Sequence, residues 1–386
     1  MERDPKKLIL SFLGTGNYQE VPYTLDGKAY RTPYTQEALA LHFPEHTLKV
    51  LLTQAARDKH GEALAARVPY EPIPIPDGRT AEELWEIFRA IVEAVPPGAS
   101  LIMDISHGFR SQPVLALAVL HFLGVAKDVR VERVVYGALR EDGLGEFLDL
   151  TPFLELLAWT QAVSDLKRYG FGKPLAELLN SLHRATWQAE GKGARKLAPL
   201  GNTLENLSTS LELLRLQEAS EHARQLLNTL GEVRKDLKRF PSSWPLKAFL
   251  ESLRERYQGI ATKDIFTQGG LEAQANMVEL LLSTGSLAQA LALMREMMVT
   301  WVCLQQNLDP LEERQVGEAF LGSWQKRAQR GSTDQKAHLG TLWNELTNAR
   351  NDVAHASMRP NPTPAETLAS NIHGLWRELK ELLLKT

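Results

Sequence analysis

Two short segments hold the residue types that chemistry needs. In Asn348–His355 (NARNDVAH) an arginine, an asparagine and a histidine fall close together. Near neutrality a histidine can take or give a proton at a ribose 2′-hydroxyl or a leaving oxygen. An arginine can hold the charge of a phosphodiester. Arg350 and His355, with Asn351 as an added polar group, therefore offer metal-free RNA transesterification. Five residues apart on a helix, the two side chains are turned about 140° from each other and flank a face. One copy makes an awkward pair, whereas two copies meeting about a two-fold axis place both pairs around one groove. Arg215 and His222 (RLQEASEH) fit the same loose spacing. The polar Asn351 and a place in a small terminal helical domain favour the first pair.

The second segment is Ser100–Pro113, SLIMDISHGFRSQP. An apolar run ending in Asp104 has the character of a buried central strand. Ser106, His107, Gly108, Phe109 and Arg110 then make a polar turn containing a glycine. From Pro113 a nearly unbroken apolar helix follows, opened by proline in its first turn and expected to be buried. Strand, turn and helix are half of an α/β nucleotide site, with phosphate favoured at the carboxyl end of the strand. A similar junction opens the chain: the apolar Lys7–Leu13 is followed at once by Gly14, Thr15, Gly16, Asn17 and Tyr18. Gln19 stands where a dinucleotide fingerprint needs its third glycine, which disfavours a nucleotide-dependent oxidoreductase. Two glycines still let backbone approach a phosphate or base closely.

Other polar residues carry less. Cys303 lies in the apolar MMVTWVC and reads as core. His42, His46 and His60 have no partners at zinc spacing and read as surface or loop histidines. Trp301, Trp324, Trp343 and Trp376 read as packing residues, and Lys326, Arg327 and Arg330 as a basic helix face that suits RNA or water equally.

The elements that must position these groups follow from periodicity. Tyr23–Thr35 alternates around Asp26-Gly27, a hairpin turn. A helix at Gln36–His42, a strand at Leu48–Thr53 and an extended, proline-rich edge at Tyr70–Ile75 come next. Thr80–Val95 is an amphipathic helix with Thr80 and Glu83 spaced as a capping box. Val131–Tyr136 is a strand, Gly137–Arg140 a turn, and a last strand lies near Glu146–Leu150. Beyond Thr151-Pro152 leucine recurs at helical spacing through Phe153–Lys167, Ala176–Gln188 and Leu204–Phe240, interrupted by Gly191–Gly193 and Pro241–Pro245. From Gly269 a compact helical domain is expected, with helices at Leu271–Thr284, Ser286–Gln305, Val316–Gln329, Gln335–Ala349 and Pro364–Leu384.

Composition bounds the rest. At 386 residues, 44% hydrophobic and 24% charged, the chain should form two or three domains with ample core. A net charge of −3 leaves nucleic-acid contact to local patches. One cysteine forbids an intrachain disulfide and favours a reducing compartment. Met1–Lys7 is charged, the next apolar run is too short for a signal peptide, and Val114–Ala126 is too short to span a membrane. A cytoplasmic protein is expected.

Taken together, FLGTGNY, MDISHG and VVYGAL resemble the CARF domains of CRISPR-associated proteins. DISHG is similar to the Asp-x-Thr/Ser-His-Gly motif of one CARF subgroup, with Ser106 in the variable place. RNDVAH resembles the Arg-x4-6-His motif of HEPN domains at Arg350, Asn351 and His355. The resemblance covers both ends; residues from about 155 to 270 carry no motif that can be placed. It implies an α/β plus all-α chain: a Rossmann-like CARF sensor over 1–152, a helical connector over 153–268 and a HEPN nuclease over 269–386. The implied activity is a metal-independent, single-stranded RNA endoribonuclease of type III CRISPR defence, switched on by cyclic oligoadenylate. The ring would bind at Gly14, Thr15, Gly16, Asn17, Asp104, Ser106, His107, Gly108, Phe109 and Arg110, with cyclic tetra-adenylate favoured over hexa-adenylate. No cofactor, membrane or DNA is implied, and the active species is a homodimer or higher homo-oligomer. The alternative is a ring-sensing regulator without nuclease activity, which would need a DNA-reading helix-turn-helix that the sequence does not display.

Overall fold

Strand β1 (Lys7–Leu13) is apolar on both faces because helices cover both. The computed structural model describes residues 5–109, 111–190, 195–236, 244–358 and 360–384. It divides into two compact units, Met1–Ala158 and Trp159–Thr386.

In the first unit β2 (Val21–Leu25) and β3 (Lys28–Thr32) form the expected hairpin. Asp26 and Gly27 both have positive φ, at 48° and 76°, as a two-residue turn of this hand requires. Helix α1 (Thr35–His42) leads to β4 (Thr47–Leu52). Two short helices, α2 (Gln54–Ala56) and α3 (Glu62–Ala65), flank a π-helical turn at Arg57–Gly61. Then come β5 (Glu71–Pro74), α4 (Ala81–Ala94), β6 (Ser100–Asp104), α5 (Ser111–Lys127), β7 (Arg130–Leu139) and β8 (Gly145–Asp149). The sheet order is β3-β2-β8-β7-β6-β1-β4-β5, parallel through the β7-β6-β1-β4-β5 run. Proline-rich β5 takes the edge, where its missing N–H groups cost nothing. The chain winds outward from β1 to β4 and β5, then returns to lay β6 on the other side of β1. The crevice at the carboxyl ends of β1 and β6 is thus the switch point where such sheets bind ligands.

Two expectations here are corrected. Gly137 is not in a turn but inside β7. A Cβ there would lie 2.7 Å from Thr35 Cγ2 and 3.1 Å from Ser106 Oγ, so the glycine marks a close approach. Helix α5 is not buried all round: Ala116, Val119, Leu120 and Leu123 face the core, while Val114, Phe122 and Val125 are exposed.

The second unit is helical. Helix α6 (Thr151–Tyr169) begins in the first unit by residue number and ends in the second. It is followed by α7 (Lys173–Glu190), α8 (Leu197–Glu212), α9 (Leu216–Asp236), α10 (Trp244–Tyr257), α11 (Gln268–Ser283), α12 (Leu287–Gln305), α13 (Arg314–Gln329), α14 (Gln335–Ala354) and α15 (Ala365–Leu384). One continuous core joins Leu175, Leu204 and Leu226 to Met297, Trp343 and Leu379, so the 153–268 and 269–386 segments share a single interior. The leucine-rich Leu204–Phe240 stretch breaks between Glu212 and Leu216, where Leu214 takes a left-handed φ of 53° without a glycine to announce it. Of the expected breaks at Gly191–Gly193 and Pro241–Pro245, the first and residues 241–243 of the second lie outside the described residues, and Trp244 and Pro245 open α10. Helix α12 is long and apolar enough to cross a membrane by length and composition, which reading only unbroken apolar runs had missed. Most of it is buried within its own unit; Met294, Met297, Met298, Val302 and Cys303 are all core. Trp301, Trp324, Trp343 and Trp376 pack in the same interior, and Arg295 lies 4.4 Å over the Trp343 ring.

Candidate functional sites

The two segments singled out in the sequence fall in different units, and each is described within its own unit. In the first, the sequence dictates strand ends that carry polar groups into the crevice between β1 and β6. Ser11 of β1 stands beside Asp104 of β6 in parallel register. Asp104 is fully buried, and its carboxylate is surrounded by donors. Oδ2 accepts from Ser11 Oγ at 2.7 Å and Thr35 Oγ1 at 2.9 Å; Oδ1 accepts from the Ser106 N–H at 2.9 Å and from Ser106 Oγ. Ser106 Oγ in turn accepts from the Gly137 N–H at 2.6 Å. A buried carboxylate satisfied in this way ties three strands and α1 together and fixes the start of the loop. Asp104 therefore positions the loop, and it is not among the residues that line the cavity.

That cavity measures about 240 Å³ and is lined by Gly14, Thr15 and Gly16 from the first loop and Ser106, His107, Gly108 and Phe109 from the second. The two loops touch: a Cβ on Gly14 would lie 3.3 Å from the Gly108 nitrogen. Gly108 has φ +107°, a conformation side chains rarely adopt, and a Cβ there would fall 2.2 Å from Gln112 Oε1. Gln112, in the first turn of α5, uses that oxygen to accept the Phe109 N–H at 3.1 Å. His107 Nε2 and Gln112 Nε2 are buried at this cavity without a hydrogen-bond partner. Burial pushes the His107 imidazole below its ordinary pKa; Asp104 opposes the shift and His60 adds to it. Asn17 is engaged beside the cavity rather than within it, and Arg110 lies outside the described residues.

Sequence reasoning missed the cluster that holds the first loop. Lys59 Nζ donates to the Thr15 carbonyl and to Asn17 Oδ1, both at 2.8 Å. His60 Nε2 donates to the Gly16 carbonyl at 2.8 Å. The π-helical turn aims these consecutive residues at one loop, and such turns have no sequence signature. Tyr18 stacks between His60 and His107, with ring centroids at 4.6 and 4.5 Å, and its hydroxyl accepts the Gly14 N–H at 2.9 Å. Tyr34 Oη lies 3.3 Å from His60 Nδ1. His60 is thus part of the site. His46, also read as a surface residue, is buried against Glu132 at 3.1 Å.

In the second unit the buried face of α14, Leu339, Leu342, Trp343 and Leu346, leaves Arg350 exposed near the helix end. Arg350 Nη1 donates to Asn351 Oδ1 at 3.1 Å. His355 is the C-cap and is also exposed, its backbone N–H bonded to the Asn351 carbonyl at 3.0 Å. Between them Asp352 is buried: Oδ2 accepts the Thr363 N–H at 3.0 Å, and Oδ1 has no partner. Ala356 and Ser357 follow with φ of 50° and 60°, two successive non-glycine residues in the left-handed region. Such strain persists only where the surroundings impose it, and it collects at functional sites. The second pair differs: His222 Nδ1 faces Ser210 Oγ at 3.1 Å, and Arg215 sits at the α8–α9 break.

Residues 155–260 match the model of the second domain of the CRISPR-associated protein MJ1674, the very stretch in which no motif could be placed. That protein from Methanocaldococcus jannaschii is 24% identical over 290 residues, covering 73% of this chain and 41% of the relative. The chain thus spans about two-fifths of the curated relative it matches. Among solved structures, Enterococcus italicus Csm6 bound to cyclic hexa-2′-fluoro-hexa-dAMP aligns over 99% of this chain and 95% of that one, at 11% identity and a TM-score of 0.44.

Proposed function

We propose that this chain is a type III CRISPR accessory ribonuclease, activated by cyclic oligoadenylate and cleaving single-stranded RNA without a metal. The observation that carries the reading is the convergence of the Gly14–Gly16 and Ser106–Phe109 loops on one cavity at the β1/β6 switch point. The unpartnered His107 Nε2 and Gln112 Nε2 both stand at this cavity, the amide as a donor and the imidazole nitrogen as a donor or acceptor, ready for a polar ligand. A ring with two-fold symmetry suits two copies of this cavity in a homodimer. Similarity to a CRISPR-associated protein over 155–260 supports the same reading from a part of the chain that carries neither motif.

At the other end, Arg350 holds the scissile phosphate and Asn351 steadies its guanidinium through the contact described above. His355 moves the proton of the 2′-hydroxyl or of the leaving oxygen, giving cyclic 2′,3′-phosphate ends. Both side chains are exposed, so the groove that desolvates RNA comes from pairing with a second HEPN-like unit. Activation requires the ring to bind the active arrangement better than the resting one; a shift from 1% to 99% active needs a differential of about 10⁴ in affinity.

Two readouts on the same variants test this. His107→Ala should weaken calorimetric binding of the ring and raise the activator concentration needed for cleavage. Arg350→Ala should remove cleavage and leave ring binding intact. Unchanged binding in the first variant moves the sensor elsewhere, and retained cleavage in the second removes the nuclease assignment.

A further inference from the structure

A cavity of about 520 Å³ lies wholly in the second unit, away from every residue assigned a role so far. It opens where the α6–α7 turn, α8, the end of α10 and the α11–α12 turn come together. Arg256 lines it. The Nε and Nη2 atoms of Arg256 are buried with no hydrogen-bond partner, and among the described residues it makes no ion pair. Its guanidinium carbon stands 5.8 Å from the ring centre of the buried Tyr257. Its side chain also hydrogen-bonds Tyr257, but two guanidinium nitrogens kept out of water with unmade hydrogen bonds are costly, and the planar fork matches a phosphate or carboxylate. Ser208 Oγ, on α8, is likewise buried and unpartnered and lines the same cavity.

The rest of the lining narrows the ligand. Lys173, exposed at the start of α7, adds a second positive charge. Tyr169 and Phe171 stand at the mouth with ring centroids 5.9 Å apart, and they are 52% and 63% exposed. Large rings left in water beside a cavity are stacking surfaces for a flat, π-faced group. Glu205 and Glu212 line the α8 side, where they accept O–H or N–H donors and repel any surplus of phosphate. The volume lies within the roughly 300–1,000 Å³ of small-ligand sites. We propose that this cavity binds a nucleoside monophosphate. Its single phosphate sits on Arg256 and Lys173, its base on Tyr169 and Phe171, and its ribose hydroxyls face Glu205 and Glu212.

Calorimetry of the full chain with AMP, GMP, CMP and UMP tests this, with adenosine and inorganic phosphate as partial probes. At least one monophosphate should bind once per chain, and adenosine or phosphate alone at least tenfold more weakly than AMP if AMP is the ligand. Arg256→Met should weaken binding roughly tenfold or more, as loss of a charge-assisted contact does. Its melting is measured alongside, because Arg256 also hydrogen-bonds the buried Tyr257 side chain and its loss can lower stability without touching the cavity. Lys173→Ala, at an exposed position where folding is not at stake, should weaken binding several-fold, as should Phe171→Ala. Gly108→Ala should bind the monophosphate as the wild type does, which separates this cavity from the β1/β6 crevice. The proposal is overturned if no monophosphate binds more tightly than about 1 mM, if the Arg256, Lys173 and Phe171 variants all bind normally, or if Gly108→Ala alone abolishes binding.

Discussion

Replacing Gly108 by alanine tests the geometry of the β1/β6 crevice most sharply. At φ +107° a non-glycine residue carries strain of about 1–3 kcal/mol. The new Cβ would lie 2.2 Å from Gln112 Oε1 and must displace it from the Phe109 N–H, losing about 0.5–1.5 kcal/mol more. The sum is about 2–4 kcal/mol, and it can appear in two places. If the loop keeps its shape, the cost falls on the stability of the first unit and is read as lost amide protection in β1 and β6 by hydrogen exchange. If the loop yields, stability survives and binding of cyclic tetra-adenylate drops roughly thirty- to several-hundred-fold, by calorimetry. Gly16→Ala is the control for stability: its φ is not in the positive range, and the nearest ring atom lies 3.4 Å from the added carbon, so amide protection should stay near the wild type. Wild-type protection and wild-type ring binding in Gly108→Ala together would refute the reasoning.

Three further outcomes follow from the same geometry. Asp104→Asn removes the charge that Ser11, Thr35 and Ser106 bond and turns one acceptor into a donor, so the first unit should lose about 1.5–3 kcal/mol in denaturant titration; an unchanged midpoint would show that the hydroxyls merely reorient. His107 sits below its ordinary pKa through burial, so the folded crevice holds it neutral while the unfolded chain takes a proton near pH 6.5. Stability of the first unit should therefore be level above about pH 7 and fall as pH drops below about 6.5, and His107→Asn should flatten that fall; parallel decline in both proteins would contradict it. Arg350→Lys should cleave RNA poorly and His355→Ala roughly 10²–10⁴-fold more slowly, while Arg215→Ala and His222→Ala stay near normal in a labelled-RNA assay. The opposite pattern would move the active site to the α8–α9 region.

Much of the first unit was legible because local chemistry decided it. Asp26-Gly27 demanded a hairpin, the prolines of Glu71–Pro74 demanded an edge, and Thr80 capped α4 by accepting the Glu83 N–H at 3.2 Å. Even there the capping box was altered, with Glu83 reaching back to the Arg79 N–H instead of that of Thr80. Gly137 was misread because a glycine in a strand and a glycine in a turn look alike until Thr35 and Ser106 are found against it. Lys59 went unremarked and His60 read as a surface or loop histidine, since a π-helical turn is set by tertiary demand and not by a spacing. The same holds for Asp104, whose place in a motif suggested ligand contact while its burial makes it an anchor. Charge and polarity reveal which residues have something to do; they do not reveal whether the partner is a ligand or the protein itself.

The central claim is that ring binding at one crevice switches on metal-free cleavage at Arg350 and His355. The direct measurement is cleavage of labelled single-stranded RNA in EDTA, with and without cyclic tetra- or hexa-adenylate, by the wild type and by Arg350→Ala. The account predicts cleavage only with the ring, cyclic 2′,3′-phosphate ends, no cutting where the 2′-hydroxyl is replaced by hydrogen, and no product from the variant. Ring-independent cleavage, abolition by EDTA, or equal activity in Arg350→Ala would contradict it.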